Sequence, residues 1–410
     1  VSLPTGVTLF LSASDIADRA GNVMTIDSWS FSIPTFVVES PDLGTPNPAT
    51  AGTLYGRTNP VHLELTSAGL PVVAWSEART NQVLHLSGAA FGASGWALLD
   101  AFQTDSAIAS SAMTLSPANQ PVFAYVQATP QTPNCTGSTT TPQLFVREFT
   151  GTGSQALGPE LNINPCGRPQ NPDILREGST GYVVAFAESN RAYVRRFENN
   201  AWVTLGGGPI PVGTAGTQVS RVKLARAPNG DLHVAWIESA AGPTALYVAR
   251  FVGGAWIPAA GGPLRVDTGP TFPNFNNETF GMALDPAGRP IVAYVKQLRV
   301  YVRRLENGAW RELGGGFIDQ ALQFSSQSPS VAISSNGQPV VAWDQDGFGV
   351  FIRAWDDVAG EWRPAIQVTT GASPSELVRD PATNKYWIAY RFGFANSGAR
   401  LFVSGSTVIP

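Results

Sequence analysis

A short phrase, two apolar residues closed by an aromatic, recurs seven times along this chain of 410 residues. It reads Val73-Ala74-Trp75, Phe123-Ala124-Tyr125, Val184-Ala185-Phe186 and Val234-Ala235-Trp236 in the first copies. It returns as Val292-Ala293-Tyr294, Val341-Ala342-Trp343 and Ile388-Ala389-Tyr390. Successive copies lie roughly 50 to 60 residues apart, the length of one four-stranded propeller blade. A fixed period of this size means that one supersecondary unit is stacked on copies of itself, because a single unit cannot bury its own apolar face.

The flanks repeat as well. Ahead of the phrase come an alternating strand and a tight turn, as in Lys223-Leu224-Ala225-Arg226-Ala227-Pro228-Asn229-Gly230. Asp285-Pro286-Ala287-Gly288 and Ser334-Ser335-Asn336-Gly337 occupy the same place in later copies. Asn-Gly and Pro-x-Gly are turn chemistry, since glycine takes positive φ without steric cost. A third strand follows, as in Tyr193-Val194-Arg195-Arg196-Phe197, and a fourth opens at Trp202, Trp256, Trp310 or Trp362. Four strands in each of seven units predict an all-β, seven-bladed β-propeller over residues 61–410. Its repeated aromatics fill the blade interfaces, rather than a β-sandwich array or a β-helix.

Composition agrees with this. Charged residues make up 14% of the chain, against 42 Gly and 32 Pro, the profile of many short strands joined by turns. A net charge of -4 gives no electrostatic footprint for nucleic acid or an anionic membrane. No apolar run is long enough to span a bilayer, so no membrane insertion is expected. Two cysteines and three histidines (His62, His85 and His233) are too few and too scattered for a zinc site. No cofactor and no metal is expected.

Residues 1–36 read differently. Val7–Ser12 and Trp29–Pro34 alternate as strands around the loop Asp15-Ile16-Ala17-Asp18-Arg19-Ala20-Gly21-Asn22. That loop, followed by Trp29-Ser30-Phe31, resembles the C-terminal half of the bacterial Ig-like domains of surface-layer and other cell-surface proteins. The resemblance implies a partial Ig-like segment, a longer secreted parent chain and self-assembly through it. Residues 37–60, rich in Pro, Gly and Thr, are expected to be a linker, part of which pairs with the last blade to close the ring.

In a four-stranded meander the first-to-second and third-to-fourth turns share one face, and the remaining loops share the other. The turns of the first face are short. The loops of the second face, Val126–Pro142, Gly206–Ser220, Gly261–Phe280 and Gly314–Ser328, vary, as binding loops on a rigid scaffold do. Cys135 and Cys166 both map to this face on neighbouring blades, within reach of a disulfide, which implies an oxidising, extracellular or cell-surface setting.

Each second strand ends on the same face, at Glu77, Gln127, Glu188, Glu238, Lys296, Gln345 and Phe392. The first six form either a polar collar that binds ligand or strand ends that support the loops. Asn59, Asn171, Asp173, Arg221, Glu278 and Glu376 are expected nearer the axis. Phe272, Phe275 and Phe280 beside Asn274, Asn276 and Asn277 would either stack on a sugar or pack their loop.

Secreted propellers often resemble sialidases, yet the Ser-x-Asp-x-Gly-x-x-Trp turn of those enzymes is absent. The arginine pairs Arg195-Arg196 and Arg303-Arg304 fall on outer strands. Glu188 and Glu238 are the candidate carboxylate pair for a glycoside hydrolase. No nucleophile elbow, zinc-protease helix or phosphate loop is present, and Asp344-Gln345-Asp346-Gly347 only partly matches a calcium loop. The leading expectation is a lectin-like binding module for a glycan or a cell-surface protein. Its alternatives are a polysaccharide hydrolase or lyase, and an architectural subunit of a surface layer or filament.

Overall fold

The computed structural model describes residues 8–13, 27–32, 37–40, 61–78, 84–102, 108–130, 135, 140–150, 153–179, 181–210, 218–239, 244–265, 280–319, 326–345, 348–370, 372–392 and 400–406. It is an all-β, seven-bladed propeller. Strands A to D run outward from the axis in each blade. Blade 1 comprises His62–Leu65, Pro71–Ala78, Leu84–Gly92 and Gly95–Phe102. Blade 2 comprises Ile108–Leu115, Pro121–Pro130, Thr140–Phe149 and Ser154–Ala156. In blade 3 the strands are Gln170–Glu177, Gly181–Glu188, Arg191–Glu198 and Ala201–Thr204. Blade 4 runs Gln218–Arg226, Leu232–Ser239, Ala245–Val252 and Ala255–Pro258.

Phe280–Leu284, Pro290–Lys296, Arg299–Glu306 and Ala309–Glu312 make blade 5. Blade 6 is Ser326–Ile333, Pro339–Gln345, Gly349–Asp356 and Glu361–Trp362. Blade 7 takes Ala372–Arg379, Tyr386–Phe392 and Arg400–Ser406 from the C-terminal end of the chain. Its fourth strand, Val37–Ser40, comes from the N-terminal side and pairs antiparallel with Arg400–Ser406. The two ends of the ring are thus hydrogen-bonded within one sheet. Ahead of the ring, Thr8–Ala13 pairs antiparallel with Asp27–Ser32.

Strand B is an unbroken apolar run because both of its faces meet a neighbouring blade. Tyr182 through Glu188, for example, is buried at every position. Seven apolar clusters occupy the seven blade interfaces, and the one between blades 7 and 1 holds Val61, Leu63, Val73, Trp75, Trp387 and Val403. The repeated aromatic sits in the cluster shared with the preceding blade in every case: Trp236 between blades 3 and 4, Tyr294 between 4 and 5, Trp343 between 5 and 6. In blades 2 to 6 it also meets an aromatic across the B–C ladder, as in Trp236 on Tyr247 with ring centroids 5.5 Å apart, whereas Trp75 of blade 1 faces Ser87. Such pairs add roughly 0.5–1.5 kcal/mol beyond the burial of area.

A second device locks the outer edges. The strand D tryptophans Trp202, Trp256, Trp310 and Trp362 donate their indole N–H to the carbonyls of Leu157, Leu205, Gly262 and Leu313 of the preceding blade. Beside each carbonyl a glycine (Gly158, Gly206, Gly261 or Gly314) leaves room for the indole. The A–B turns carry their own cap: Thr66, Ser116, Asp285 and Ser334 each accept the backbone N–H four residues on. The turn position with positive φ is Gly69, Gly230, Gly288 or Gly337, and Asn119 or Asn384 takes it in blades 2 and 7.

Candidate functional site in the axial channel

Pairing with strand B brings one residue of each strand A opposite the alanine of the repeated phrase. From blade 1 to blade 7 those residues are His62, Ala112, Asp173, Lys223, Gly281, Ser330 and Glu376. They form one layer around the axis, and it is chemically uneven. Blades 2 and 5 contribute nothing polar, whereas blades 1, 3, 4 and 7 contribute a histidine, two carboxylates and a lysine.

Strand A has no inner neighbour, so its free edge presents backbone N–H groups that need acceptors. The layer supplies some of them. Glu376 Oε2 accepts the N–H of Leu63 at 2.9 Å, Asp173 Oδ2 that of Leu224 at 2.6 Å, and Ser330 Oγ that of Leu377 at 2.9 Å. In each case the side chain of one blade grips the residue that follows the layer position of the next blade. Lys223 Nζ stands 3.5 Å from the other oxygen of Asp173, and His62 Nε2 lies 3.1 Å from Ser111 Oγ.

Glu64, two residues beyond His62, faces this group. Desolvation, followed by the charges of Glu376 and Asp173, pushes its carboxyl up to about 8, although Lys223 and Arg176 oppose the shift. Desolvation also raises Glu376, against the pull of Lys223 and of the Leu63 N–H. The Lys223 ammonium is held above its ordinary value, chiefly by Asp173. Burial lowers His62 to about 3, with Lys223 adding to the effect. Lys223 keeps 41% of its side-chain surface and Asp173 14%, because both open on the lumen. The lumen itself is walled by protein, which is why desolvation leads for Glu64, Glu376 and His62, while the Asp173 charge leads for Lys223.

The channel widens into a cavity of about 650 Å³ on the face of the short A–B turns. Polar groups in its wall include Glu64, Thr114, Asn119, Arg176, Arg379 and Asp380. That volume lies within the range of small-ligand sites, roughly 300–1,000 Å³. Among the described residues no group of three His, Cys, Asp or Glu is placed to hold a metal ion.

On the opposite, loop-rich face the strand ends have a different character. Glu188 is buried, and its two carboxylate oxygens accept the N–H groups of Ile163 and Asn164. It holds the connection that carries Cys166. Desolvation raises Glu188, and those two N–H groups oppose the rise. Glu238 is buried too and accepts the Trp236 indole N–H at 2.9 Å. Gln345 is buried, Gln127 half-buried, and the Lys296 ammonium lies 5.6 Å over the Tyr301 ring. Strand B of blade 1 contains Glu77 and that of blade 7 ends at Phe392, but those side chains lie outside the described residues.

Asn171 and Arg221 sit at β-bulges where strand A enters, with φ of 45° and 42°. Cys135 and Cys166 are joined, with their Cα atoms 5.5 Å apart, and a pocket of about 280 Å³ beside the bond is lined by Cys166, Arg168, Gln170 and Glu188. Asn59, Phe272, Asn274, Phe275, Asn276, Asn277, Glu278, Asp346 and Gly347 lie outside the described residues. The arginine pairs serve packing: Arg195 bonds the carbonyls of Leu161 and Trp202, and Arg304 bonds Asp357 of the next blade.

Asp173 and Glu376 therefore stand near the axis, where the sequence suggests them, while Glu64, Arg176, His62 and Lys223 escape a sequence reading. The available signal is weak but real. Lys223 is one of three lysines in the chain, and it interrupts an apolar strand opposite the most buried position of the repeat.

No protein-family model matches the chain, and no curated protein matches it. Solved structures share its fold at low identity. A polysaccharide lyase described as an ulvan lyase aligns over 91% of this chain and 97% of its own, with a TM-score of 0.55 and 10% identity. A protein of unknown function from Dyadobacter fermentans aligns over 91% and 99%, with a TM-score of 0.51 and 11% identity. Both likenesses concern the propeller.

Proposed function

We propose that this chain is a secreted, non-catalytic glycan-binding module that takes its ligand into the axial channel from the face of the A–B turns. One observation carries the reading. Glu64 lines a cavity of about 650 Å³, no hydrogen bond among the described residues occupies its carboxyl, and its surroundings favour the protonated form. A half-buried carboxyl that faces a walled lumen with no protein partner is a hydrogen-bonding group held ready for something that enters. A polyhydroxylated ligand would meet this carboxyl, the Thr114 hydroxyl and the Arg176 guanidinium on one wall.

The Cys135–Cys166 bond supports an oxidising compartment, and no helix among the described residues is long and apolar enough to cross a membrane. The ligand face proposed is thus the opposite of the loop-rich face expected from the sequence; an Ig-like N-terminal segment and self-assembly of a longer parent remain parts of the proposal. The buried state of Glu188 and its bonds to Ile163 and Asn164 support a loop-holding role for that member of the collar, and Glu238 is engaged by the Trp236 indole of its own strand.

A second reading rests on the same residue. Glu64 and Glu376, neighbouring carboxyls both raised by burial, are a carboxyl pair of the kind that acid–base glycan chemistry uses, and a polysaccharide lyase shares this fold. One experiment separates the two. The purified chain is offered a panel of neutral and acidic oligosaccharides, with retention and product masses scored together, alongside Glu64→Gln and Glu64→Ala. A binder retains ligand without new products, keeps binding as Glu64→Gln and weakens as Glu64→Ala. New product masses that vanish in Glu64→Gln would establish the enzyme instead.

A further inference from the structure

We propose that the channel mouth selects carboxylate-bearing sugars, uronic acid residues of an acidic polysaccharide, through Arg176 and the Glu64 carboxyl. The inference rests on the glycan reading above and adds the ligand's chemical class.

The wall of the cavity offers donors in excess of acceptors. Arg176 is exposed on strand A of blade 3 and has no carboxylate partner among the described residues. The adjacent carboxylate, Glu177, is already taken up by Arg196 and Arg226. Arg379, on the blade 7 side of the same cavity, donates to the Asn384 side-chain oxygen and the Ile333 carbonyl, both uncharged acceptors. The one further carboxylate in the wall, Asp380, is turned into its own loop, where it accepts from the Ala382 N–H and the Thr383 hydroxyl. Two guanidinium groups thus face the cavity without a carboxylate bound to either.

Glu64 does not neutralise them at neutral pH, because it holds its proton. It presents an O–H instead. An entering carboxylate can accept that O–H with one oxygen and pair with Arg176 through the other, and both contacts are of the strong, charge-assisted kind. A neutral sugar hydroxyl gains only the ordinary bond and leaves the Arg176 charge uncompensated. The charged groups that face Glu64 are Glu376 from blade 7, Asp173 and Arg176 from blade 3, and Lys223 from blade 4. Asp173 and Lys223 answer each other at 3.5 Å and Glu376 is engaged by the Leu63 N–H, so the Glu64 proton is the group whose loss adds a free negative charge at the mouth.

The test is a calorimetric titration of the full chain with trigalacturonate, its trimethyl ester, a neutral xylotriose and a sulfated neutral trisaccharide. At pH 6.5 the acid is expected to bind at least tenfold more tightly than the ester and the other two probes. Raising the pH to 9.5 should weaken the acid at least tenfold in the native protein, and by less than threefold in Glu64→Gln. Arg176→Met should abolish the preference for acid over ester. The comparison of acid with ester in the native protein needs no variant to fold. Equal binding of acid and ester overturns the inference while leaving the glycan reading in place, and tighter binding of the sulfated probe overturns the carboxylate assignment. Binding of none of the four overturns both.

Discussion

Glu376 accepts the backbone N–H of Leu63 at 2.9 Å across a sequence separation of 313 residues. It ties the innermost strand of the last blade to that of the first, and it recurs in Asp173–Leu224 and Ser330–Leu377. Removing the acceptor leaves an N–H facing a protein-walled lumen, a loss of about 1–3 kcal/mol. Glu376→Ala is therefore expected to lower the urea midpoint by that free energy, and Glu376→Gln, which keeps a carbonyl in reach, by less than half of it. Equal loss in the two variants would show that the charge, and not the bond, holds the seam.

Gly314 and Trp362 test the outer edge. Gly314 has φ of 86°, and a Cβ there would come within 2.5 Å of Trp362 Cδ1 and 2.8 Å of its Nε1. That indole is the one bonded to the Leu313 carbonyl. Gly315 has φ of 65° and open space around it. Gly315→Ala thus meets backbone strain alone, roughly 1–2 kcal/mol, whereas Gly314→Ala adds a steric clash of roughly 1–3 kcal/mol. Thermal unfolding should rank Gly314→Ala clearly below Gly315→Ala, with a shifted tryptophan emission only in the former. Equal melting temperatures would mean that the indole moves aside at no cost.

These two contacts mark where a sequence stops being readable. The aromatic of each phrase is legible because the repeat in the chain is also the repeat in the packing: Trp236 and Tyr294 do the same work one interface apart. The glycine runs at 206–208 and 314–316 are legible as ends of strand D, but their fit to Trp256 and Trp362 joins residues about one blade apart. Glu64, Asp173, Lys223 and Glu376 come from four blades with no shared spacing, and only the pairing of strand A with strand B puts them around one axis. Glu188 is visible as a strand end, yet its bonds to Ile163 and Asn164 depend on how the blade 2–3 connection folds back.

The Cys135–Cys166 bond closes a loop of 31 residues between blades 2 and 3. Chain-entropy reasoning gives about 3–4 kcal/mol for a loop of that size. The Cys135→Ser, Cys166→Ser double variant should lose stability on that scale in guanidinium, and Glu188→Gln should lose less, because the cross-link still pins the connection. Intact mass should rise by about two daltons on reduction, for two added hydrogens. A double variant as stable as the native chain would show that Glu188 and the packing of Leu161 already fix this connection.

The pH dependence of stability isolates Glu64. Its folded value of about 8 lies above the ordinary 4.5, so the folded state holds the proton more tightly than the unfolded chain. That contribution is complete below pH 4.5 and is lost as pH rises through 8, at up to about 1.4 kcal/mol per pH unit between those limits. His62 acts in the opposite sense. Its folded value of about 3 lies below the ordinary 6.5, so its contribution is full above 6.5 and falls away as pH drops toward 3. Denaturation midpoints measured from pH 4 to 9 should therefore fall more steeply on the alkaline side in the native protein than in Glu64→Gln. His62→Asn should flatten the acid side instead. Water inside the channel can only reduce the alkaline slope. If the native and Glu64→Gln curves run parallel above pH 5, Glu64 is ionised at neutral pH, and the neutral donor that distinguishes the channel mouth is absent.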